Sequence, residues 1–232
     1  MISENNNSVI YSKKLASDVN ALVEGVSSEQ LFILTDEHTK IHCLPLLQSE
    51  GAMKNAKVYT MPCGDHYKTI ETVVEIWKFL GENGGTRKSM LINLGGGVVT
   101  DLGGFVANTF KRGIRFINIP TTLLSMVDAA VGGKTGINFN GLKNEIGVIN
   151  PAETVVIYPD FLRSLDTENL LSGYAEMLKH GLLSSEEEMK KLNKFDARKP
   201  DFDLLAELIE TSIEVKANIV KQDPTEKGIR KA

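Results

Sequence analysis

At 232 residues, with 42% hydrophobic and 24% charged side chains, the chain is long enough for one large core, or for one domain and part of a second. Its formal charge of −4, with lysines and arginines scattered, lacks the clustered basic surface that a nucleic-acid backbone requires, so no nucleic-acid partner is expected. No apolar run is long enough to span a bilayer, the polar start from Met1 to Ser8 lacks a signal-peptide core, and Cys43 and Cys63 fit no metal or redox spacing; no membrane partner and a cytoplasmic location are expected.

Residues 31–36 read as a buried parallel strand running into a polar loop at Asp36. His38 and His42, four apart near that strand's end, read as helix-surface residues. Residues 56–61 form a second strand. Residues 69–81 repeat Ile70, Val73, Val74, Trp77 and Leu80 at helical spacing, and Gly84 and Gly85 supply the stop. Further strands are expected over 89–94, 116–120 and 154–158. Strands alternating with helices imply an α/β fold, Rossmann-like, with a mostly parallel sheet. After Pro159 no strand is expected, and 170–183, 185–195 and 202–221 read as helices, with Pro200 as a start signal for the last. That shift divides the chain into an α/β domain over 1–158 and the beginning of an all-α domain over 159–232.

Three segments carry chemistry. Leu94 ends a strand, Gly95, Gly96 and Gly97 turn the chain, and an apolar helix begins. Glycines permit close backbone approach and positive φ, and a helix opening there offers free N–H groups to a phosphate. The spacing is not Gly-x-Gly-x-x-Gly, and a tight turn that binds nothing is an equally good reading of the triplet alone. Asp101, taken to lie in the first helical turn, could hold a ribose or nicotinamide group or favour the helix dipole. Next, Thr121 and Thr122 follow a buried strand, and Gly132-Gly133-Lys134 and Gly141-Leu142-Lys143-Asn144 pair glycines with lysines, as an anionic substrate would require. A flexible hairpin with solvated lysines is the plain alternative. Last, Glu176, Lys179 and His180 share a helix face; a buried carboxylate there could ligate a metal or move a proton, although residue types alone favour a solvated pair.

Seven ordered segments, 62–68 (Pro-Cys-Gly-Asp-His-Tyr-Lys), 95–101, 110–113, 120–124, 128–136, 141–144 and 173–179, together resemble the 3-dehydroquinate synthase family of sugar-phosphate cyclases, over nearly the whole chain. The resemblance implies NAD contacts at Asp36, at Cys63, Gly64, Asp65, His66, Tyr67 and Lys68, and at Gly97, Val98, Val99, Thr100 and Asp101. It implies further NAD contacts at Thr121, Thr122, Lys134 and Lys143, and at Phe161, Leu162, Arg163 and Ser164. It places Asp128, Lys134, Asn144, Arg112 and Lys179 on a seven-carbon keto-acid phosphate, and makes Glu176 one of three protein ligands to a divalent metal, zinc or cobalt. The implied reaction oxidises one hydroxyl with NAD, eliminates phosphate, returns the hydride and closes a carbocycle; a homodimer is also implied.

Cys63, Asp65 and Thr100 depart from residues that the family often carries, without removing an essential charge. The family's other two metal ligands are histidines of a later motif, and no histidine follows His180. One carboxylate is short of the three-ligand set of catalytic zinc, so this chain alone is expected to bind metal poorly and turn over little. The apolar faces of its last helices are expected to lack partners after about Ser184. Sister cyclases acting on other sugar phosphates, metal-dependent alcohol dehydrogenases and a non-catalytic NAD-binding module are the competing readings.

Overall fold

The computed structural model describes residues 8–223 and 227–228; the Asn-rich start before Ser8 and the end from Ile229 lie outside the described residues. In chain order the elements are β1 (Ser8–Tyr11), α1 (Leu15–Leu22), β2 (Leu31–Asp36), α2 (Glu37–His42), α3 (Leu44–Leu47), β3 (Lys57–Met61), α4 (Ile70–Glu82), β4 (Met90–Gly95) and α5 (Gly97–Thr109). They continue as β5 (Arg115–Pro120), a π-helical turn (Ser125–Ala129), β6 (Lys134–Phe139), β7 (Leu142–Ile149), β8 (Thr154–Ile157), α6 (Thr167–Ser184), α7 (Glu186–Leu192) and α8 (Phe202–Gln222).

Six strands form one parallel sheet in the order β1-β8-β5-β4-β2-β3. β4 runs through its middle with every residue buried, which explains a sequence that is apolar but for Asn93 and Gly95: a strand covered on both faces has no solvent side to encode. Side chains alternate between the faces. Phe32, Leu34 and Leu91 face α4 and α5, whereas Leu31, Ile33 and Ile92 face α1, α6 and α8. Burying each of these side chains contributes roughly 1.5–3 kcal/mol. Gly103 of α5 is needed for that packing, because a Cβ there would stand 2.1 Å from Asn93 Oδ1 on β4. Asn93 in turn donates Nδ2 to Asn118 Oδ1 of β5 at 2.9 Å.

The expected strands and the α4 helix are where the sequence places them, within a residue or two. Contrary to expectation, the helices after Ser184 have partners: Leu192, Leu205, Ile209 and Ile213 are buried in the same cluster as β2 and β4. Their starts are capped, Ser185 accepting from Glu188 N–H and Asp201 from Asp203 and Leu204 N–H, each cap contributing about 1 kcal/mol. Leu182 and Leu183, at the end of α6, are exposed.

Two features are additions. β1 pairs with β8 from Ser8↔Thr154 to Tyr11↔Ile157, and so joins the two ends of the α/β unit. β6 and β7 form an antiparallel ribbon outside the sheet, turned at Asn140 and Gly141 with φ of 51° and 79°, as a tight hairpin requires. Among the described residues no helix is long and apolar enough to cross a membrane.

Candidate active site

The carboxyl ends of β2, β3, β4 and β5 bring Asp36, Met61, Gly95 and Pro120 to one edge of the sheet, where parallel α/β folds place ligands. Gly96 is the N-cap of α5 and Gly97 its first residue. None of Gly95, Gly96 and Gly97 uses positive φ. What they supply is closeness: an added Cβ would lie 2.5 Å from Val99 Cβ at Gly95, 3.1 Å from Thr122 Cγ2 at Gly96 and 3.3 Å from Ala129 Cβ at Gly97. The first N–H groups of α5 have no carbonyl within the helix to meet, and they open onto a cleft of about 360 Å³. Asp36, Gly64, Asp65, Val98, Val99 and Thr122 line it, together with Asn169 and Ser172 of α6. Asp36 also caps α2, accepting from Thr39 N–H at 2.8 Å.

Lys68 sits buried in the wall of this cleft and donates to Asp101 Oδ2 and to Asn144 Oδ1, both at 2.5 Å. Asp101 lies one turn into α5, past the first turn where it was expected, so it serves this ion pair rather than the helix dipole. Burial pushes its carboxyl above the ordinary carboxylate range, against the opposing pull of Lys68 and Lys134.

A second cleft, of about 410 Å³, shares Asp101 and Ala129 with the first. Asp128, Lys134, Asn144 and Lys216 line it. Asp128 projects from the π-helical turn, a distortion common at functional sites, and accepts from Lys216 Nζ. Beside it, Glu176 Oε1 accepts from Lys179 Nζ at 2.9 Å and lies 3.4 Å from His180 Nε2. His180 is only 2% exposed, and its Nδ1 stands 2.7 Å from Ser212 Oγ. The Glu176–His180 pair is therefore partly buried, not the solvated pair that residue types favoured. Burial pushes the imidazole below its ordinary pKa, Lys216 and Lys179 adding to the effect against Glu176 and Asp128. A neutral imidazole is the form that ligates metals. One donor atom each from Asp128, Glu176 and His180 lie within 4.8 Å of one another. This oxygen, oxygen and nitrogen set suits a divalent metal such as zinc. The single ligand expected from the sequence is thus joined by two neighbours.

Comparison with known proteins now decides the family. The 3-dehydroquinate synthase N-terminal family model matches residues 58–172, and the 3-dehydroquinate synthase C-terminal model matches residues 173–232. The chain belongs to the 3-dehydroquinate synthase family. It is 50% identical to the 3-dehydroquinate synthase of Parabacteroides distasonis over 97% of its own length and 64% of that protein's. With the enzyme of Clostridium tetani the identity is 38%, over 88% of this chain and 55% of the relative. The chain thus spans somewhat more than half the length of these curated relatives. Its structure is similar to that of 2-epi-5-epi-valiolone synthase from Streptomyces hygroscopicus with NAD+ and Zn2+ bound (TM-score 0.86, 26% identity, 99% of this chain and 65% of that one). A 2-deoxy-scyllo-inosose synthase complexed with carbaglucose-6-phosphate, NAD+ and Co2+ shares the fold (TM-score 0.75, 21% identity, 94% and 62%).

Of the residues that the family resemblance singles out, Asp36, Gly64, Asp65, Lys68, Gly97, Val98, Val99, Asp101 and Thr122 line the first cleft. Asp128, Lys134 and Asn144 line the second. Cys63 flanks the first cleft between Pro62 and Gly64, while His66 and Tyr67 stack on each other at 4.1 Å in exposed positions. Lys143 pairs with Asp65 at 3.1 Å. Thr100 and Thr121 are buried; Thr100 Oγ1 donates to Gly96 O, and Thr121 N–H bonds Gly95 O. Thr122 caps the turn that carries Asp128, exchanging hydrogen bonds with Ser125.

Two groups of these residues lie outside both clefts. Arg112 follows α5, which carries the chain back across the sheet, so it lies near Arg115 and Met90 at the amino ends of the strands, roughly 20 Å from the cleft. Phe161 and Leu162 are core residues, and Arg163 is held by Asp160 and lies over the Phe202 ring; with Ser164, none of them lines either cleft. The sequence reading missed Lys216, Ser212, Asn169 and Ser172. Lys216 and Ser212 did carry a signal: they continue the buried apolar face of α8 through Ile209 and Ile213, where polar residues need a reason.

Proposed function

We propose that the protein acts as a 3-dehydroquinate synthase, an NAD- and metal-dependent phosphate lyase that converts 3-deoxy-D-arabino-heptulosonate 7-phosphate to 3-dehydroquinate and phosphate. The observation that carries this reading is the junction of the two clefts at Asp101 and Ala129, which lets a dinucleotide and a phosphate-bearing substrate touch. The identity of 50% to a 3-dehydroquinate synthase, against 26% to the valiolone synthase, favours this substrate over those of the sister cyclases.

The opening of α5 receives the pyrophosphate on its unpaired N–H groups and positive dipole end. Asp36 and the loop around Asp65 face the remainder of the dinucleotide. Lys134, Lys216 and Lys179 present ammonium groups to the substrate's phosphate and carboxylate. Asp128, Glu176 and His180 hold the metal, with Ser212 orienting the imidazole through Nδ1. When bound, NAD supplies reversible hydride chemistry and the metal supplies a Lewis acid for the reacting oxygen. A homodimer in the cytoplasm completes the reading.

Calorimetry with NAD should show one site on this chain; absence of binding removes the cofactor from the proposal. The protein, given NAD, zinc and the seven-carbon substrate, should release phosphate without steady accumulation of NADH. Steady NADH without phosphate release would replace the cyclase with a dehydrogenase.

A further inference from the structure

We propose that Asn138 is a positioning residue that holds Asn144 and Lys143 in place by capping a bulge in β7 and tying it to the 62–68 loop. This role rests on the cofactor-and-substrate reading of the two clefts. The β6–β7 ribbon is regular as far as the Ile137↔Ile146 pair and resumes at Phe139↔Leu142. Between those pairs β6 has one residue, Asn138, while β7 has Lys143, Asn144 and Glu145. Extra residues on one strand leave backbone groups without a ladder partner and re-aim the side chains they carry.

Asn138 meets those needs with every polar group it has on that side. Its Oδ1 accepts from the Asn144 N–H at 3.0 Å. Its Nδ2 donates to Asp65 O at 3.1 Å and to Asp65 Oδ2 at 3.2 Å, and its backbone N–H donates to Lys68 O at 2.7 Å. The orientation of the carboxamide is fixed chemically, because Asn144 N–H can only donate and Asp65 O can only accept. Asn144 itself has φ of 55°, a left-handed backbone that this cap retains. From that conformation its Oδ1 reaches Lys68 Nζ at 2.5 Å, and its neighbour Lys143 reaches Asp65 Oδ2 at 3.1 Å. One carboxamide therefore links the loop beside the dinucleotide cleft to the strand that lines the substrate cleft.

The test is amide hydrogen exchange by NMR on the 232-residue chain, with NAD calorimetry alongside. In Asn138→Ala, the Asn144 amide should exchange about tenfold faster while the Ile137 and Ile146 amides keep their protection. NAD binding should weaken about fivefold or more. Asn138→Asp keeps an acceptor for Asn144 but opposes two carboxylates at Asp65; Asn144 should stay protected while NAD binding still weakens. Asn138→Asp should also speed exchange of the Lys68 amide, which donates to Asp65 O; adding Asp65→Asn restores one donor–acceptor pair and should return that amide to its parental rate, which a general loss of folding would not do. Unchanged exchange at Asn144 in Asn138→Ala, or no recovery of Lys68 amide protection in the double variant, overturns the proposal. If the parent chain binds no NAD, the cofactor reading fails, and the cap is judged by the exchange data alone.

Discussion

Lys68→Met is the most informative single change, because Lys68 donates to both Asp101 and Asn144 from a buried position. Its side chain is 5% exposed and that of Asp101 22%. Removing one partner of a buried ion pair costs about 3–5 kcal/mol, since the charge left behind is unmet. Water reaches part of Asp101, so the lower end, about 3 kcal/mol, is expected. For a chain of this size, with a urea dependence of about 2–3 kcal/mol per molar, the unfolding midpoint should fall by roughly 1–1.5 M. Lys68→Met combined with Asp101→Leu removes both charges, and should regain most of the loss. The pH dependence has a definite sign. Asp101 already titrates high through burial, and loss of Lys68 raises it further. A folded carboxyl with a raised pKa favours the folded state below its unfolded value, and that contribution fades as pH rises through the folded one. The deficit should thus be smallest near about pH 4 and grow toward about pH 8. A midpoint change worth less than about 1 kcal/mol, as an exposed pair would give, refutes the reasoning. So does a double variant that loses as much as the single one.

Three further outcomes are expected. Gly95→Ala places a methyl 2.5 Å from Val99, and should cost about 1–3 kcal/mol, seen as a melting point lower by roughly 2–12 °C, together with loss of NAD binding. Burial pushes the Cys43 thiol up to about 12, so iodoacetamide should spare Cys43 in the native protein and label Cys63; NAD at ten times its Kd should slow Cys63 labelling about tenfold. Ser212→Ala removes the partner of His180 Nδ1 and should weaken zinc or cobalt binding about 10–100-fold in an equilibrium titration, while unchanged affinity would remove His180 from the ligand set.

The sheet was legible because β2, β4 and β5 are almost wholly buried and read as mainly apolar runs without polar alternation. β1 was not, because its burial pattern is mixed and its partner is β8, far along the chain, so no local signal announces it. The ribbon escaped for a different reason: β7 is exposed from end to end, and its bulge interrupts the alternation by which a strand is recognised. In the site, the glycine turn was readable from residue types, yet its reason is packing against Val99, Thr122 and Ala129 rather than positive φ. Glu176 was readable; the burial of His180 was not, since it depends on α8 lying across α6. The place of Arg112 at the amino ends of the strands was not legible, because adjacency in sequence to α5 does not say which end of the sheet it reaches.

The charge of the whole chain and the charge of its cleft have opposite implications. At −4 the protein as a whole repels anions, and composition alone argues against an anionic ligand. Folding redistributes that balance. Lys68 meets Asp101, Lys216 meets Asp128, Lys179 meets Glu176 and Lys143 meets Asp65, so these four carboxylates in or beside the clefts each have an ammonium within reach. Lys134 stands at the same cleft and draws the Asp101 carboxyl down against its burial, which shows that its positive field reaches the shared wall. Asp36 and Glu145 line the clefts as well, so what folding supplies is not an excess of lysines but ammonium groups held in a concave site with low-dielectric walls, where their field acts more strongly than in water. The net charge therefore does not exclude an anionic ligand at the clefts, and part of it is carried elsewhere, in runs such as Glu186, Glu187 and Glu188 at the start of α7.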